Sequence, residues 1–517
     1  MWKLWPKAWT VGRNVTDHRK FLAAEALHAR WRGRLATALT RVLSREISED
    51  EAPLCLDELT GEHLLALDLA LRLRQWDGAS LDPSSAAHTA PDLWQDGDAA
   101  ARFLLVATCD WNGFIRQEAL RQFGVYAGGL ALSAALIRST DWVPQVQAAA
   151  ESLLDLLLEK LPATALLDQL DLLVALRRRQ RLRSSLWEDR ILPRLSTPEA
   201  TSRRWRWISE GPWRVRMFAL QLVMLADPAR REEALRYAVA TKELPIALWA
   251  VSVLPKLAPQ PRAELVELAT RHPAAAVRAA ALRETHSLDP VIALPILAKA
   301  IFDLARAPRT VAVRELDLRF GEYARARWRA ALTEPDSRRW RGAFFGLCDA
   351  PEPEDIPRIF AGAEHQSAAV RSATLRGLQR ARAPMLGQQL NHALIDKSKA
   401  VVGQALEIYR GNDFALEREN LESAIRLSNN ATRSALISAT RQLGKWDALD
   451  VLLNLAFGDS TRDGATKEIA QWVTRANLRF TSPTPALLLR VREGVEALGS
   501  ALPSSLSVSL LNILKHA

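Results

Sequence analysis

Cysteine is scarce in this chain. The three cysteines among its 517 residues, Cys55, Cys109 and Cys348, lie far apart and form no C-x-x-C pair. This distribution argues against a structural zinc site and against a disulfide framework. We therefore expect buried thiols in a reducing compartment.

The chain also lacks long apolar runs. The longest apolar stretch, Leu244 to Leu254, contains a proline and is shorter than the roughly 20 residues that a membrane-spanning helix needs. The first residues, MWKLWPKAWTVG, carry two lysines and a proline where a signal peptide has an unbroken apolar segment. These features predict a cytoplasmic protein without a membrane partner.

Sequence signatures of catalysis are missing too. The nine histidines form neither H-E-x-x-H nor another pair at metal-ligand spacing. There is no G-x-x-x-x-G-K-[ST] or G-x-G-x-x-G phosphate loop and no G-x-S-x-G nucleophile elbow. We therefore predict no catalytic residue, no metal and no cofactor, and an enzyme is the less favoured class.

Alanine, leucine and arginine dominate what is present. Hydrophobic residues make up 48% of the chain, which is enough to build a core and excludes a disordered protein. The chain is rich in strong helix formers and poor in the alternating Val/Ile/Thr runs that predict strands, so we expect an all-α fold. A formal net charge of +10 favours acidic partners, including nucleic acid.

An internal repeat organises the chain. The segment from Ile359 to Gly444 contains nearly three copies of one pattern: a short apolar segment, a polar break, and a run with Ala and Leu at helical spacing. Successive breaks lie 31 to 33 residues apart, a step that fits two short helices and two turns, which is one solenoid unit. The breaks that set this step are Glu364, Asp396 and Asn429 and, earlier in the chain, Asp110 and Asp141.

Composition divides the chain into three predicted regions. Residues 1–76 pass from a basic to an acidic helical segment, which predicts an N-terminal helical cap. Residues 77–98, DGASLDPSSAAHTAPDLWQDGD, are typical of an acidic Pro/Ser-rich loop or linker. The repeat array is expected to occupy residues 99–517.

A recurring motif joins each turn to the helix that follows it. The motif is D-x-x-x-x-[VI]-R-x-x-A-x-x-x-[LF], and its best matches pair Asp110 with Arg116, Gly211 with Arg216, His272 with Arg278 and Glu364 with Arg371. It resembles the HEAT repeat, in particular the short bacterial HEAT-like units of the phycobilin-lyase type. The resemblance implies an α-solenoid, a right-handed superhelix of helix pairs, over residues 99–517.

We interpret the repeated charged positions of this motif as structural. The arginine stem would pack along the solenoid while its guanidinium binds turn carbonyls or a neighbouring acid, and the turn aspartate would cap a helix. These structural repeat positions are Asp110, Arg116, Asp141, Arg216, Arg278 and Arg371.

Two clusters combine arginine with tryptophan and are the candidate binding residues. Guanidinium groups suit phosphates and indole rings suit bases, so the clusters would serve a nucleic-acid groove. The alternative is that the indoles fill the core between helices and the arginines are solvated. The first cluster is Arg203, Arg204, Trp205, Arg206, Trp207, Trp213 and Arg214, and the second is Trp328, Arg329, Arg338, Arg339, Trp340 and Arg341.

The leading functional hypothesis is a non-enzymatic scaffold that binds a protein partner along the concave surface formed by the second helices of the repeats. The alternative is a nucleic-acid-binding HEAT-like protein that uses the Arg/Trp clusters. A remoter branch, implied by the alkylpurine DNA glycosylases among HEAT-like proteins, is base excision, which needs an acid in an aromatic cleft. Asp110–Trp111 and Asp141–Trp142 are the candidates there, although their place at repeat turns favours capping. A third hypothesis, an assembly factor or lyase subunit for a cofactor-bearing protein, follows from the resemblance alone.

Overall fold

The computed structural model describes Gly61, Leu64, Leu65 and Asp68 and then residues 97–126, 128–177, 183–321, 324–333, 338–411, 414–475 and 482–515. Within these residues the chain is helical and contains no strand, so the predicted all-α class is confirmed. The predicted cap over residues 1–76 and loop over residues 77–98 lie almost entirely outside the described residues. Gly97 and Asp98, the end of that predicted loop, already belong to a helix.

The chain divides into two compact units, residues up to Ala250 and residues from Val251 onward. A single repeat array over residues 99–517 stays a prediction. The helices of the first unit are α1 (Gly97–Ala107), α2 (Gly113–Gln122), α3 (Gly129–Arg138), α4 (Pro144–Lys160), α5 (Ala163–Asp168), α6 (Leu170–Leu176), a π-helix (Leu186–Ile191), α7 (Leu192–Leu195), α8 (Thr201–Glu210), α9 (Trp213–Ala226) and α10 (Arg231–Ala240); the division falls within α11 (Leu244–Val253).

The second unit consists of helix pairs. Its helices are α12 (Pro259–Thr270), α13 (Ala275–Glu284), α14 (Pro290–Ala300), α15 (Arg306–Phe320), α16 (Ala324–Ala331), α17 (Arg338–Asp349), α18 (Ile356–Phe360), α19 (Ala368–Arg380), α20 (Leu386–Leu394), α21 (Lys399–Arg410), α22 (Arg418–Leu427), α23 (Asn430–Ala439), α24 (Lys445–Ala456), α25 (Arg462–Arg475), α26 (Pro485–Leu498) and α27 (Ser504–Lys515). Each even-numbered helix packs on the odd-numbered helix that follows it, and each odd-numbered helix packs on the next odd-numbered one. We call the odd-numbered helices α13 to α27 the second-helix row.

Caps and prolines set many of the helix ends. At the start of α2 the Asn112 side chain accepts a hydrogen bond from the Phe114 amide at 3.0 Å. Prolines stand in the first turn of α4, α12, α14 and α26, where a missing N–H breaks no intrahelical bond. Helix α15 ends at Gly321, whose φ of 75° lies in the left-handed region that glycine adopts without Cβ strain.

The core of the second unit lies between the helix pairs. Leu282, Leu316, Leu347 and Leu378, one from each of α13, α15, α17 and α19, are almost completely buried. Because each apolar stripe is covered by a neighbouring pair, the stability of one pair depends on the next. None of the described helices is long and apolar enough to cross a membrane.

Candidate functional site

Arg371 shows how the repeated arginines are held. Its Nε and Nη2 donate to the two carboxylate oxygens of Asp396, 25 residues later, at 2.7 and 2.8 Å. Its Nη1 donates to the carbonyls of His365 and Gln366, in the turn before its own helix, at 2.7 and 2.9 Å. One guanidinium therefore joins the turn of its own repeat to the turn of the next repeat. The same four bonds run from Arg116 to Asp141 and the carbonyls of Asp110 and Trp111, and from Arg278 to Asp303 and the carbonyls of His272 and Pro273.

Arg216 departs from this arrangement. Its Nη1 donates to Glu243, 27 residues later, at 2.8 Å, and its Nη2 donates to the Gly211 carbonyl at 3.2 Å. Arg216 therefore contacts one carboxylate oxygen of Glu243, whereas Arg371 contacts both carboxylate oxygens of Asp396. The join between repeats at Arg216 is therefore the less rigid one.

The side chain of the residue that opens each turn also accepts a hydrogen bond from the backbone amide two residues later in the chain. Asp396 accepts the Ser398 amide at 2.7 Å, and His365 accepts the Ser367 amide on its Nδ1 at 2.9 Å. His365 thus takes the position of an aspartate, and the step from His365 to Asp396 is 31 residues. The register predicted from Glu364 is wrong by one residue, because a neutral imidazole can stand in for a carboxylate as the acceptor.

The two acids considered for glycosylase-like chemistry belong to these turns. Asp141 is buried; its two oxygens accept from Arg116, and one also accepts from Arg138 at 3.0 Å. Burial raises the pKa of Asp110, although its bond from the Asn112 amide opposes that rise. The side chains of Trp111 and Trp142 are more than half exposed, so these rings do not enclose the acids.

In the first Arg/Trp cluster, Arg204 and Trp207 hold α8 in place. Arg204 is fully buried, and it donates to the Leu195 carbonyl at 2.8 Å and to Asp227 at 2.9 Å. The Nε1 of Trp207 donates to the Leu167 carbonyl at 2.6 Å. Neither side chain is presented to a ligand.

Two further arginines of this cluster are paired with acids. Arg203 lies 3.0 Å from Asp168, and Arg206 lies 3.0 Å from Glu210 one turn later on the same helix. The acids offset the charges that a phosphate backbone would need. Both pairs are solvent-exposed and contribute little to stability.

The remaining indoles of the first cluster stack against guanidinium groups. The Arg230 guanidinium lies 4.5 Å from the centroid of the Trp205 ring, and the Arg214 guanidinium lies 5.1 Å from the Trp213 ring. A cation–π contact of this kind occupies one of the two ring faces on which a base could stack.

The second cluster surrounds the contact between α16 and α17. Trp328 is 4% exposed, and its Nε1 donates to the Ile301 carbonyl at 2.9 Å. Its ring lies over Gly346, where a Cβ would come within 2.4 Å of the indole. The glycine is required for this close approach, and Trp328 is a packing residue.

Arg329 is paired with three acids. It lies 2.8 Å from Asp355, 2.7 Å from Glu352 and 3.4 Å from Glu354. Asp355 is fully buried, so this network joins α16 to the start of α18.

The first turn of α17 presents the rest of the cluster. Trp340 stacks on Phe344 and on His365, each at a centroid distance of 5.2 Å. Arg338 and Arg339 are exposed, and Arg341 is half-buried. The Arg339 guanidinium lies 4.8 Å from the centroid of the Phe302 ring.

A charged group that the sequence analysis missed lies on the second-helix row. Asp349, the last residue of α17, accepts a bond from Arg380 of α19 at 3.2 Å. Arg306 of α15 lies 3.6 Å from the same carboxylate oxygen, and Arg309 of α15 pairs with the other. We use the name Asp349 cluster for Asp349, Arg306, Arg309, Arg380 and the nearby Arg376.

Arg376 adds a fourth cation to this cluster. It lies one turn before Arg380 and donates to Gln404 of α21 at 2.9 Å. Burial lowers the pKa of Arg376, and the charges of Arg380 and Arg309 lower it further. Three guanidinium groups therefore contact the Asp349 carboxylate, and a fourth, that of Arg376, lies within range of its charge.

The Asp349 cluster has a weak signal in the sequence. The spacings R-x-x-R at 306–309 and R-x-x-x-R at 376–380 place each pair of arginines on one helix face. Nothing in either spacing indicates that both pairs meet Asp349.

Among the described residues, no three His, Cys, Asp or Glu side chains converge in a way that would hold a metal ion. In comparisons with known proteins, no family model and no curated protein matches this chain.

Proposed function

We propose that this chain is a non-enzymatic scaffold built from HEAT-like repeats, and that the second-helix row forms a concave surface for a protein partner. Two observations support a solenoid of helix pairs. The second helices pack on one another in chain order, and the arginine bridges recur with partners 25 residues apart. A cytoplasmic location is supported by Cys348, which is buried and in no disulfide.

The Asp349 cluster carries the proposal. Its four arginines exceed its one carboxylate by three charges, and they come from two helices of the second-helix row, α15 and α19. Arg306 is 64% exposed and Arg380 is 28% exposed, so both guanidinium groups can be reached from solvent. An acidic segment of a partner would meet complementary charge here, which speeds encounter and fixes register.

Affinity purification from the native host, with nuclease treatment, tests this proposal. We expect Arg306→Glu/Arg380→Glu to weaken capture of the partner at least about 100-fold, because two attractive pairs become repulsive. The matched control is Arg358→Glu/Arg426→Glu, which changes the same charge on two exposed arginines of the first helices α18 and α22. The control should capture as the unaltered chain does.

Arg306→Ala gives a milder version of the same test. Its side chain is mostly exposed, so the fold should tolerate the change, and capture should weaken several-fold with a smaller dependence on salt. Equal recovery by all variants, or recovery that nuclease abolishes, would exclude the Asp349 cluster as the docking site.

A nucleic-acid-binding role is the second candidate, and the exposure of Arg338 and Arg339 favours it. If it holds, a 20-nucleotide single strand or duplex should bind with an affinity that falls steeply between 50 and 200 mM salt, a conventional range for this test. Arg338→Ala/Arg339→Ala should flatten that slope. Arg204 is unsuited to this test because it is buried. Binding without salt dependence would remove this candidate.

A further inference from the structure

The solvent-accessible edge of the Asp349 cluster consists of two arginines that share one oxygen atom. The Nε of Arg306 lies 3.6 Å from Oδ1 of Asp349, and the Nη1 of Arg380 lies 3.2 Å from the same oxygen. Arg309 pairs with the other oxygen, Oδ2. Since guanidinium groups from α15 and α19 approach one atom, a single anion at this edge can contact both of them.

Most of the N–H donors of these two arginines are not used by the fold. The Arg306 guanidinium makes no hydrogen bond to the described residues, and its contact with Asp349 is an ion pair only. The Nη1 of Arg380 donates to the Cys348 carbonyl at 2.8 Å and to Asp349 at 3.2 Å, whereas its Nε and Nη2 donate to no described residue. A guanidinium carries five N–H groups, so Arg306 keeps all five for a ligand and Arg380 keeps three.

The other two arginines of the cluster, Arg309 and Arg376, add positive charge. Arg309 is buried, and its Nη1 donates to the Asp303 carbonyl at 2.6 Å. The Nη1 of Arg376 donates to the Ser372 hydroxyl at 3.0 Å. Burial lowers the pKa of Arg376, and repulsion from Arg380 and Arg309 lowers it further, so a bound anion would relieve a repulsion between neighbouring cations.

The unused donors and the excess charge together favour a phosphate monoester over a carboxylate. A carboxylate carries one charge and accepts at about four lone-pair positions, fewer than the donors that Arg306 and Arg380 leave free. A phosphate monoester carries about two negative charges at neutral pH and has three strong acceptor oxygens. The planar guanidinium can donate to two of these oxygens at once, which fixes the geometry as well as the charge.

A phosphodiester of a nucleic acid matches this edge less well. Each of its phosphates carries one charge, as a carboxylate does. Its charges are also spread along the strand, whereas the cations of the Asp349 cluster meet at one carboxylate.

We propose that Arg306 and Arg380 bind a phosphate monoester, a phosphorylated serine or threonine in the acidic segment of the partner, and that phosphorylation of the partner therefore controls docking. This inference rests on the proposed function, because it names the chemical group by which the partner docks at the Asp349 cluster.

Fluorescence anisotropy of the full chain with a labelled heptapeptide of alanine and glycine tests the inference. Three forms of the peptide carry phosphoserine, glutamate or serine at the centre. The phosphoserine form should bind at least about tenfold more tightly than the glutamate form, because it brings a second charge and a third oxygen. The serine form should not bind at about 1 mM.

Two variants and a matched control show whether the proposed residues carry the binding. Arg306→Ala/Arg380→Ala should weaken the phosphoserine peptide at least about tenfold, whereas Arg358→Ala/Arg426→Ala, at exposed arginines of the first helices, should stay within about twofold. Arg306→Ala alone should weaken it several-fold, and the fold should tolerate this change because the guanidinium makes no hydrogen bond to the described residues.

The pH profile gives a readout that depends on the phosphate. Its second ionisation lies near pH 6, so the affinity of the phosphoserine peptide should fall about fourfold from about pH 7.5 to about pH 5.5. The glutamate peptide should change little over this range, because glutamate and arginine both stay charged.

The inference is overturned if the glutamate peptide binds as tightly as the phosphoserine peptide, or if Arg306→Ala/Arg380→Ala keeps the affinity within twofold. It is also overturned if a thymidine oligonucleotide displaces the phosphoserine peptide at equal phosphate concentration, which would favour a nucleic-acid ligand.

Phosphatase treatment of the lysate before affinity purification separates this inference from the scaffold proposal. Capture of a partner that requires Arg306 and Arg380 but survives phosphatase would overturn the phosphate inference and leave the scaffold proposal standing. Binding of the phosphoserine peptide by the purified chain, with no partner captured under any condition, would overturn the scaffold proposal and support the phosphate site.

Discussion

Replacing Arg371 by methionine removes one bridge between repeats while keeping an apolar stem of similar length. The substitution takes away two bonds to Asp396 and two to turn carbonyls. It leaves the Asp396 carboxylate, 13% exposed, with only the Ser398 amide as a partner among these contacts. The turn that opens α21 should therefore loosen.

The expected cost follows from the burial of the pair. Breaking a fully buried ion pair costs about 3–5 kcal/mol, and an exposed one costs about 0–1 kcal/mol. Arg371 is 19% exposed, which places this pair near the lower end of the buried range, at about 3 kcal/mol. Since about 1.4 kcal/mol corresponds to a tenfold change in an equilibrium constant, local opening should become about 100-fold more frequent.

Hydrogen exchange followed by mass spectrometry measures that opening directly. In Arg371→Met, the hydrogen-exchange protection factors of peptides covering residues 386–410 should fall about 100-fold. Arg410→Met, the same substitution at an exposed arginine at the end of α21, is the matched control and should change little. Equal protection in the two variants would refute the bridge as a stabilising contact.

The same variant has a defined pH dependence. Burial alone would raise the pKa of Asp396, but the bonds from Arg371 and Ser398 outweigh it and hold the pKa below its usual range. A carboxylate with a lowered pKa stabilises the fold above its unfolded pKa, and this contribution is lost as the pH falls through the folded value. The difference in the free energy of unfolding between Arg371→Met and the unaltered chain should be constant near neutral pH. It should shrink as the pH falls through the pKa of Asp396 in the variant, which lies above that in the unaltered chain because the bonds from Arg371 are gone.

Three other outcomes are expected from the second unit. Gly346→Ala should lower the melting temperature, because the new Cβ would meet the Trp328 ring at 2.4 Å. Gly403→Ala, in open space on α21, should instead raise the free energy of unfolding by about 0.5–1 kcal/mol. Equal shifts of the melting temperature in calorimetry would contradict this. Trp328→Phe should cost about 1–3 kcal/mol in urea unfolding, since the Ile301 carbonyl loses its buried donor, and a cost below about 0.5 kcal/mol would argue against that bond. Cys348 should resist iodoacetamide in the native chain, because burial and, to a smaller extent, the Asp349 carboxylate raise the pKa of its thiol. Labelling at the rate of a small-molecule thiol would disprove this.

The helices could be predicted from the sequence because the signals for them are local. The Ala and Leu spacing that predicts α19 and α21 depends on residues within a single helix. The exact length of the repeat is harder to predict from the sequence, since it depends on identifying the residue that opens each turn. His365 fills that role through its Nδ1, and residue type alone does not reveal which neighbour of Arg371 does so.

The candidate site could not be predicted in the same way. Asp349 meets Arg309 from 40 residues earlier and Arg380 from 31 residues later, whereas the regular bridge spans 25. The difference arises where α16 and α17 interrupt the regular step, so no periodic signal marks the position. Contacts of that kind depend on how the helices pack, and helix packing is not encoded in any one window of sequence.

The net charge favours a nucleic-acid interpretation, but the distribution of charge over the described residues supports the proposal of a protein partner. A charge of +10 states only that cations outnumber acids over the whole chain. A phosphate backbone needs a continuous track of available cations, because every nucleotide carries a charge. Arg203 and Arg206 are each paired with an acid, whereas the arginines at Asp349 exceed their carboxylate by three charges within one patch. A short, local excess of this kind matches an acidic segment of a protein better than it matches a polyanion.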